Sequence, residues 1–138
     1  MVSSLAFCDI NSDGRTELIV GSHDFLIAVY QGEESIAEIN EADKVLFIKH
    51  IYENYLAIGL DNGVIAVYRG MERVWRVKAK HIVTAIHCFD VNLDGVPEVI
   101  FGWSNGAVQV SISTLLPETY LMFIQMFFCV CACMSIYM

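Results

Sequence analysis

Three stretches of the chain repeat one pattern of apolar and polar positions: Glu17-Leu-Ile-Val-Gly-Ser-His-Asp-Phe-Leu-Ile-Ala-Val-Tyr30, Tyr55-Leu-Ala-Ile-Gly-Leu-Asp-Asn-Gly-Val-Ile-Ala-Val-Tyr68 and Glu98-Val-Ile-Phe-Gly-Trp-Ser-Asn-Gly-Ala-Val-Gln-Val110. Each places short apolar strands around a Gly-containing turn. In the second and third copies the turn is Asp61-Asn62-Gly63 or Ser104-Asn105-Gly106, and Asn-Gly supplies the positive φ angles of a tight hairpin. The first copy has His23-Asp24-Phe25 there, a weaker turn signal. The aligned glycines, Gly21, Gly59 and Gly102, are 38 and 43 residues apart, the roughly 40-residue period of a four-stranded propeller blade.

Further strands are predicted before each hairpin, at residues 5–9, 45–49 and 83–90, with outer strands at 35–40 and 73–78. A strand thus recurs about every ten residues, and no helical period precedes residue 115. The predicted fold is all-β: an incomplete β-propeller of about three blades or parts of blades, over residues 1–112. A β-sandwich would also supply many short strands, but it does not require the blade-length period. Propellers close with about four to eight blades, so this arc is expected to be a piece of something larger or to be completed by partners.

Residues 113–138 break the pattern. From Tyr120 to Met138 there is no charge, and nineteen residues in a helix would span about 28 Å, close to the hydrocarbon thickness of a bilayer. The tail is expected to be helical if ordered. It begins where the next blade should and ends without a polar cap, so a truncated or misassembled gene model is preferred to a membrane anchor. Cys129, Cys131 and Cys133 are read as apolar filler in preference to metal ligands or palmitoylation sites.

Composition narrows the function classes. Eight Lys and Arg against sixteen Asp and Glu give a net charge of −8, which opposes a phosphate backbone and argues against nucleic acid. The basic residues are scattered apart from a small cluster at Arg73, Arg76, Lys78 and Lys80. Five cysteines, an odd number without framework spacing, favour a reducing compartment. The N-terminal residues lack the basic and apolar regions of a signal peptide, and a cytosolic protein is the expectation.

Candidate chemistry is confined to two acidic loops. Asp9-Ile-Asn11-Ser-Asp13-Gly14-Arg15-Thr-Glu17 and Asp90-Val-Asn92-Leu-Asp94-Gly95-Val96-Pro-Glu98 share oxygen side chains at positions 1, 3, 5 and 9 and glycine at position 6. Calcium takes six to eight oxygens. Each loop offers its two Asp, its Asn, its Glu and the backbone carbonyl of Arg15 or Val96. Neither has the Glu twelfth in an EF-hand, since Val20 and Phe101 stand there. The loops resemble the short calcium loops in the FG-GAP repeats of integrin-type proteins. Equally, their Asp and Asn side chains can cap backbone amides of a tight turn; both readings stay open.

The stretches Cys8 to Ser22, Val74 to Lys80 and Ile86 to Gly106, the last reading Ile-His-Cys-Phe-Asp-Val-Asn-Leu-Asp-Gly-Val-Pro-Glu-Val-Ile-Phe-Gly-Trp-Ser-Asn-Gly, resemble the Bardet–Biedl syndrome protein 2 family of BBSome subunits over about residues 3–110. The resemblance implies the later part of the family's N-terminal propeller. It further implies a scaffold role, without catalytic residues, in a coat-like complex that moves membrane receptors into and out of cilia. Its expected partners are other BBSome subunits, with no small-molecule substrate and with membrane contact only through the tail. The expected locations are cytoplasm, cilium and ciliary basal body.

Two rival classes make different demands. A calcium-dependent adhesion module of the integrin type, anchored by the tail, requires a signal peptide and paired cysteines. A hydrolase on a propeller scaffold requires turnover that is lost when Asp13 or Asp94 is replaced, and His50, His81 and His87 have no nucleophile elbow near them to make them catalytic bases. Trp75 and Trp103 are expected to pack between blades.

Overall fold

The computed structural model describes residues 1–111 and 125–129. Its twelve strands form three antiparallel four-stranded sheets, each pairing neighbours in chain order. Blade 1 contains β1 (Val2–Cys8), β2 (Glu17–Ser22), β3 (Leu26–Gln31) and β4 (Glu34–Asn40). Blade 2 contains β5 (Val45–Tyr52), β6 (Tyr55–Leu60), β7 (Val64–Arg69) and β8 (Glu72–Lys78). Blade 3 contains β9 (Val83–Phe89), β10 (Glu98–Trp103), β11 (Ala107–Ser111) and β12 (Gln125–Cys129).

Register makes the repeat exact enough to compare side chains. Gly21, Gly59 and Gly102 pair with Ile27, Ile65 and Val108 across the central hairpins. Leu5, Ile48 and Ile86 are therefore equivalent positions on the first strands, opposite Val20, Ile58 and Phe101. Ile19, Ile27 and Val29 of blade 1 pack against Val45, Ile48, Ile58 and Val64 of blade 2 in one core. Ala57 and Ile65 on the opposite face of blade 2 pack against Val83, Ile86, Phe101 and Trp103 of blade 3 in a second. Blade 2 is covered on both faces, which is why β6 and β7 are almost continuously apolar rather than alternating. The outer strands β4 and β8 bury only alternate residues, and those partly.

The first two blades are also stitched near their inner strands by hydroxyls. Ser4 Oγ accepts the Ile48 amide at 2.9 Å, and Ser3 Oγ donates to the Val45 carbonyl. The aligned glycines lie inside β2, β6 and β10, not in turns. A Cβ on Gly21 would stand 2.6 Å from Val45 Cγ1, so this glycine marks close approach of two blades. The hairpin tips do use positive φ: Gly63 at 82° and Gly106 at 84°. In blade 1 it falls on Phe25, at 66°, which explains the weak turn signal in that copy.

The tail departs from expectation at residues 125–129. Instead of a helix, β12 pairs antiparallel with β11, from Ala107↔Cys129 to Ser111↔Gln125. A fourth strand satisfies the outer backbone edge of β11 as β4 and β8 do in the other blades. An uncharged apolar run has no alternation to separate strand from helix, and its length alone had argued for a helix. The rest of the expected tail, including Cys131 and Cys133, lies outside the described residues. Among the described residues no helix is long and apolar enough to cross a membrane.

Candidate metal centres

Both acidic loops join the first and second strands of a blade, β1 to β2 and β9 to β10, whereas blade 2 closes the same connection with the short turn at Glu53 and Asn54. The curl is set by backbone amides. Asp9 accepts from the amides of Asp13 and Gly14 at 3.0 and 2.8 Å; Asp90 accepts from Asp94 and Gly95 at 3.1 and 2.8 Å. Asn11 and Asn92 each accept the amide two residues on, and Asp13 and Asp94 accept the amides of Arg15 and Val96, both at 2.8 Å. Positive φ falls at positions 4 and 6, on Ser12 and Gly14 in one loop and Leu93 and Gly95 in the other. Glycine meets this without cost; Leu93, 85% exposed, holds a conformation that branched side chains disfavour.

Glu17 and Glu98 open the second strands and are buried, at 0% and 1% exposure. Each turns a carboxylate oxygen back to the loop, onto the amide of Ile10 at 2.9 Å or Val91 at 2.7 Å. The result is convergence: one carboxylate oxygen from each of Asp9, Asp13 and Glu17 lies within 4.8 Å of the others, and Asp90, Asp94 and Glu98 repeat the arrangement. Calcium–oxygen distances of about 2.3–2.6 Å put ligands on opposite sides of an ion about 5 Å apart, so either trio fits one coordination sphere. The capping and convergence readings thus coexist, because each oxygen has a second lone pair. Asn11 and Asn92 enter the hydrogen bonding as caps, and Arg15 and Val96 as amides that Asp13 and Asp94 cap.

One participant escaped the sequence reading. Gln31, at the end of β3, donates through Nε2 to Asp13 Oδ2 at 2.8 Å and Glu17 Oε1 at 3.3 Å. The signal was available in the register: with Gly21 opposite Ile27, Glu17 falls opposite Gln31. In blade 3 the register is given from Val99↔Ser111 onward, and the residue that would correspond to Gln31 lies outside the described residues. Among the described residues, none donates to Asp94 Oδ2 or Glu98 Oε1.

The hydrogen bond from Gln31, with the Arg15 amide after it, holds the Asp13 carboxyl below the usual carboxylate range. Beneath the loop, burial first and the Glu17 and Asp9 charges next push the Cys8 thiol up to about 11.

The other residues weighed above are placed simply. Trp103 is buried in the second core and Trp75 packs against it, the inter-blade role expected of both. His50 Nε2 meets the Glu53 carbonyl at 2.7 Å, while His81 and His87 are exposed.

Comparison with known proteins follows the same lines. Residues 4–111 match the family described as ciliary BBSome complex subunit 2, middle region. The chain is 47% identical over 108 residues to the BBSome complex member BBS2 of Mus musculus and 46% to that of Homo sapiens, covering 78% of this chain and 15% of each relative. It is 34% identical over 109 residues to BBSome complex member bbs-2 of Caenorhabditis elegans, covering 79% of this chain and 15% of the relative. The chain therefore spans only a small part of the relatives' length. In fold it is similar to BBS1N, solved in complex with ARL6DN (TM-score 0.68, 17% identity, 77% of this chain and 34% of that one). The WD40 domain of Toxoplasma gondii coronin is comparable (TM-score 0.64, 18% identity, 80% and 30%).

Proposed function

The chain belongs to the ciliary BBSome complex subunit 2 family, and from that premise we propose that it is a non-catalytic scaffold segment whose blades dock other protein surfaces. The surfaces are those of other BBSome subunits, in the service of membrane-protein traffic at the cilium, with the cytoplasm and ciliary basal body as further locations. One observation carries the reading. Leu5 is 54% exposed, while its equivalents Ile48 and Ile86 are 0% and 4% exposed beneath a neighbouring blade. Phe89, at the far end of the arc, is 60% exposed. Among the described residues no blade lies over these two apolar positions, and a docked apolar surface would bury them.

The test is reconstitution of the full chain, bearing Leu5→Glu or Phe89→Glu, with BBSome subunits. Assembly is expected to fall while the circular dichroism of the free chain stays unchanged. Assembly indifferent to both substitutions would overturn the proposal.

A second reading is favoured by the convergent carboxylates: calcium held by Asp90, Asp94 and Glu98, with Asn92 and the Val96 carbonyl, and more weakly by Asp9, Asp13 and Glu17, with Asn11 and the Arg15 carbonyl. Bound calcium would offset two of the three neighbouring carboxylate charges and brace the loop, a structural role. In the first loop the Gln31 amide already donates to Asp13 and Glu17, a contact calcium would have to displace, so the third-blade loop is expected to bind first. Calorimetric titration decides: Asp94→Ala should remove the tighter event, and absence of heat at millimolar calcium would refute both sites.

A further inference from the structure

Five of the eight Lys and Arg lie between residues 69 and 80, against Glu72 as the single acid there, so this stretch is +4 in a chain of net charge −8. The structure places most of it on β8, the outermost strand of blade 2, which among the described residues has only β7 as a neighbour. Arg73, Arg76 and Lys78 stand opposite Tyr68, Ala66 and Val64, and therefore share one face of the sheet. All three are exposed. Among the described residues none is in an ion pair. On the other face Trp75 and Val77 are half-buried against the second core, and Val74, the extra residue at a register shift, is 40% exposed.

A cationic face, an apolar face and an outer backbone edge beside which the described residues place no further strand define what fits there. We propose that β8 takes an extended acidic segment of a partner protein as a fifth strand of blade 2, with Asp or Glu on alternate residues beside Arg73, Arg76 and Lys78 and apolar residues between them. The backbone edge supplies the ladder of hydrogen bonds. Side chains two apart on a strand are about 6.7 Å apart, so an alternating segment meets Arg76 and Lys78 in register. Cross-strand partners stand about 4.5–5.5 Å apart. The equivalent edge of blade 1 repels the same segment, because β4 carries exposed Glu34 and Glu38 and is flanked by Glu33 and Glu41. That difference gives a single blade the specificity. The proposal extends the scaffold reading but fails separately from it, since it does not involve the end faces.

The experiment uses the full chain at low salt and a fluorescent peptide of about eight residues alternating Glu with Val, a usual strand length, read by anisotropy. Saturable binding is expected, reduced about tenfold or more by Arg76→Glu with Lys78→Glu. It should be reduced as strongly by N-methylation of the peptide's alternate amides, which leaves its charge intact. Equal binding of the methylated peptide, or of one with the same residues shuffled into an acidic block, would show simple charge attraction and overturn the proposal. No binding at millimolar peptide would also overturn it. So would binding to phosphatidylserine vesicles that the peptide does not compete, which would assign the cluster to a membrane surface instead.

Discussion

Alanine at Gly21, Gly59 and Gly102, one at a time, asks the same chemical change of three equivalent positions whose surroundings differ only in what the next blade brings. None of the three has positive φ, so the backbone accepts alanine and the unfolded chain loses freedom, a gain of about 0.4–1 kcal/mol. Packing decides the sign. At Gly21 the new Cβ stands 2.6 Å from Val45 Cγ1 and 2.9 Å from Ile48 Cδ1, where carbons prefer about 3.5–4.0 Å. Val45 must withdraw by about 1 Å, yet it is fully buried and stiff at χ1. Overpacking of this kind costs about 1–3 kcal/mol.

At Gly59 the contact under 3 Å is Ile86 Cδ1, at 2.9 Å, the end of a side chain that can rotate. At Gly102 the nearest atom is Thr84 Oγ1, at 3.4 Å. The expected net changes are a loss of about 1–2 kcal/mol for Gly21→Ala, about 0–1 for Gly59→Ala and a gain of about 0–1 for Gly102→Ala. Thermal and urea denaturation of the full chain, followed by circular dichroism, resolves the order, with about 3–5 °C per kcal/mol at this size. A Gly102→Ala variant as destabilised as Gly21→Ala would refute blade-on-blade contact as the reason for these glycines.

Aspartate at Ile48 would bury an unpartnered carboxylate and cost about 4 kcal/mol or more, whereas Leu5→Asp, on the equivalent exposed position, should cost about 0.5 kcal/mol; the same denaturation measurements check both. Gln31→Ala should raise the Asp13 pKa, measured by carboxyl NMR titration. A depressed carboxylate pKa stabilises the fold above its ordinary value, and that stability is lost as pH falls through the folded value, so the variant should lose this part of its acid dependence. Cys8 and Cys88, both pushed up to about 11, chiefly by burial, should be alkylated slowly in the native chain at pH 8, where about one thiol in a thousand is ionised. Mass spectrometry should show both labelled rapidly once urea unfolds the chain.

The architecture was legible because strand alternation, Asn-Gly turns and a fixed period are local signals. Equally local was the amide-capping capacity of the acidic loops. The pairing of β12 was not legible, since its sequence lacks the alternation that distinguishes strand from helix. The aligned glycines marked the period, but the close approach of blades that Gly21 serves is a long-range contact that the letter alone does not state. Gln31 was missed because its partners are 14 and 18 residues away. Only the hairpin register, not the loop motif, brings them together.

Departures from the repeat carry more information than the repeat itself. Equivalent positions share a backbone geometry, so a difference in chemistry between them reflects a difference in what each must meet. Leu5 and Ile48 differ in exposure because one has a blade over it. Blade 2, covered on both faces, closes its first connection with a short turn, while the end blades carry acidic loops there. Gln31 binds two carboxylates of the first loop, and among the described residues the second loop of nearly identical motif has no such donor. The cations of β8 and the carboxylates of β4 mark two outer edges for opposite partners. A protein built from blades gains specificity by breaking their equivalence at the faces, loops and edges the core does not use, and these are the positions where substitution should alter binding without unfolding the arc.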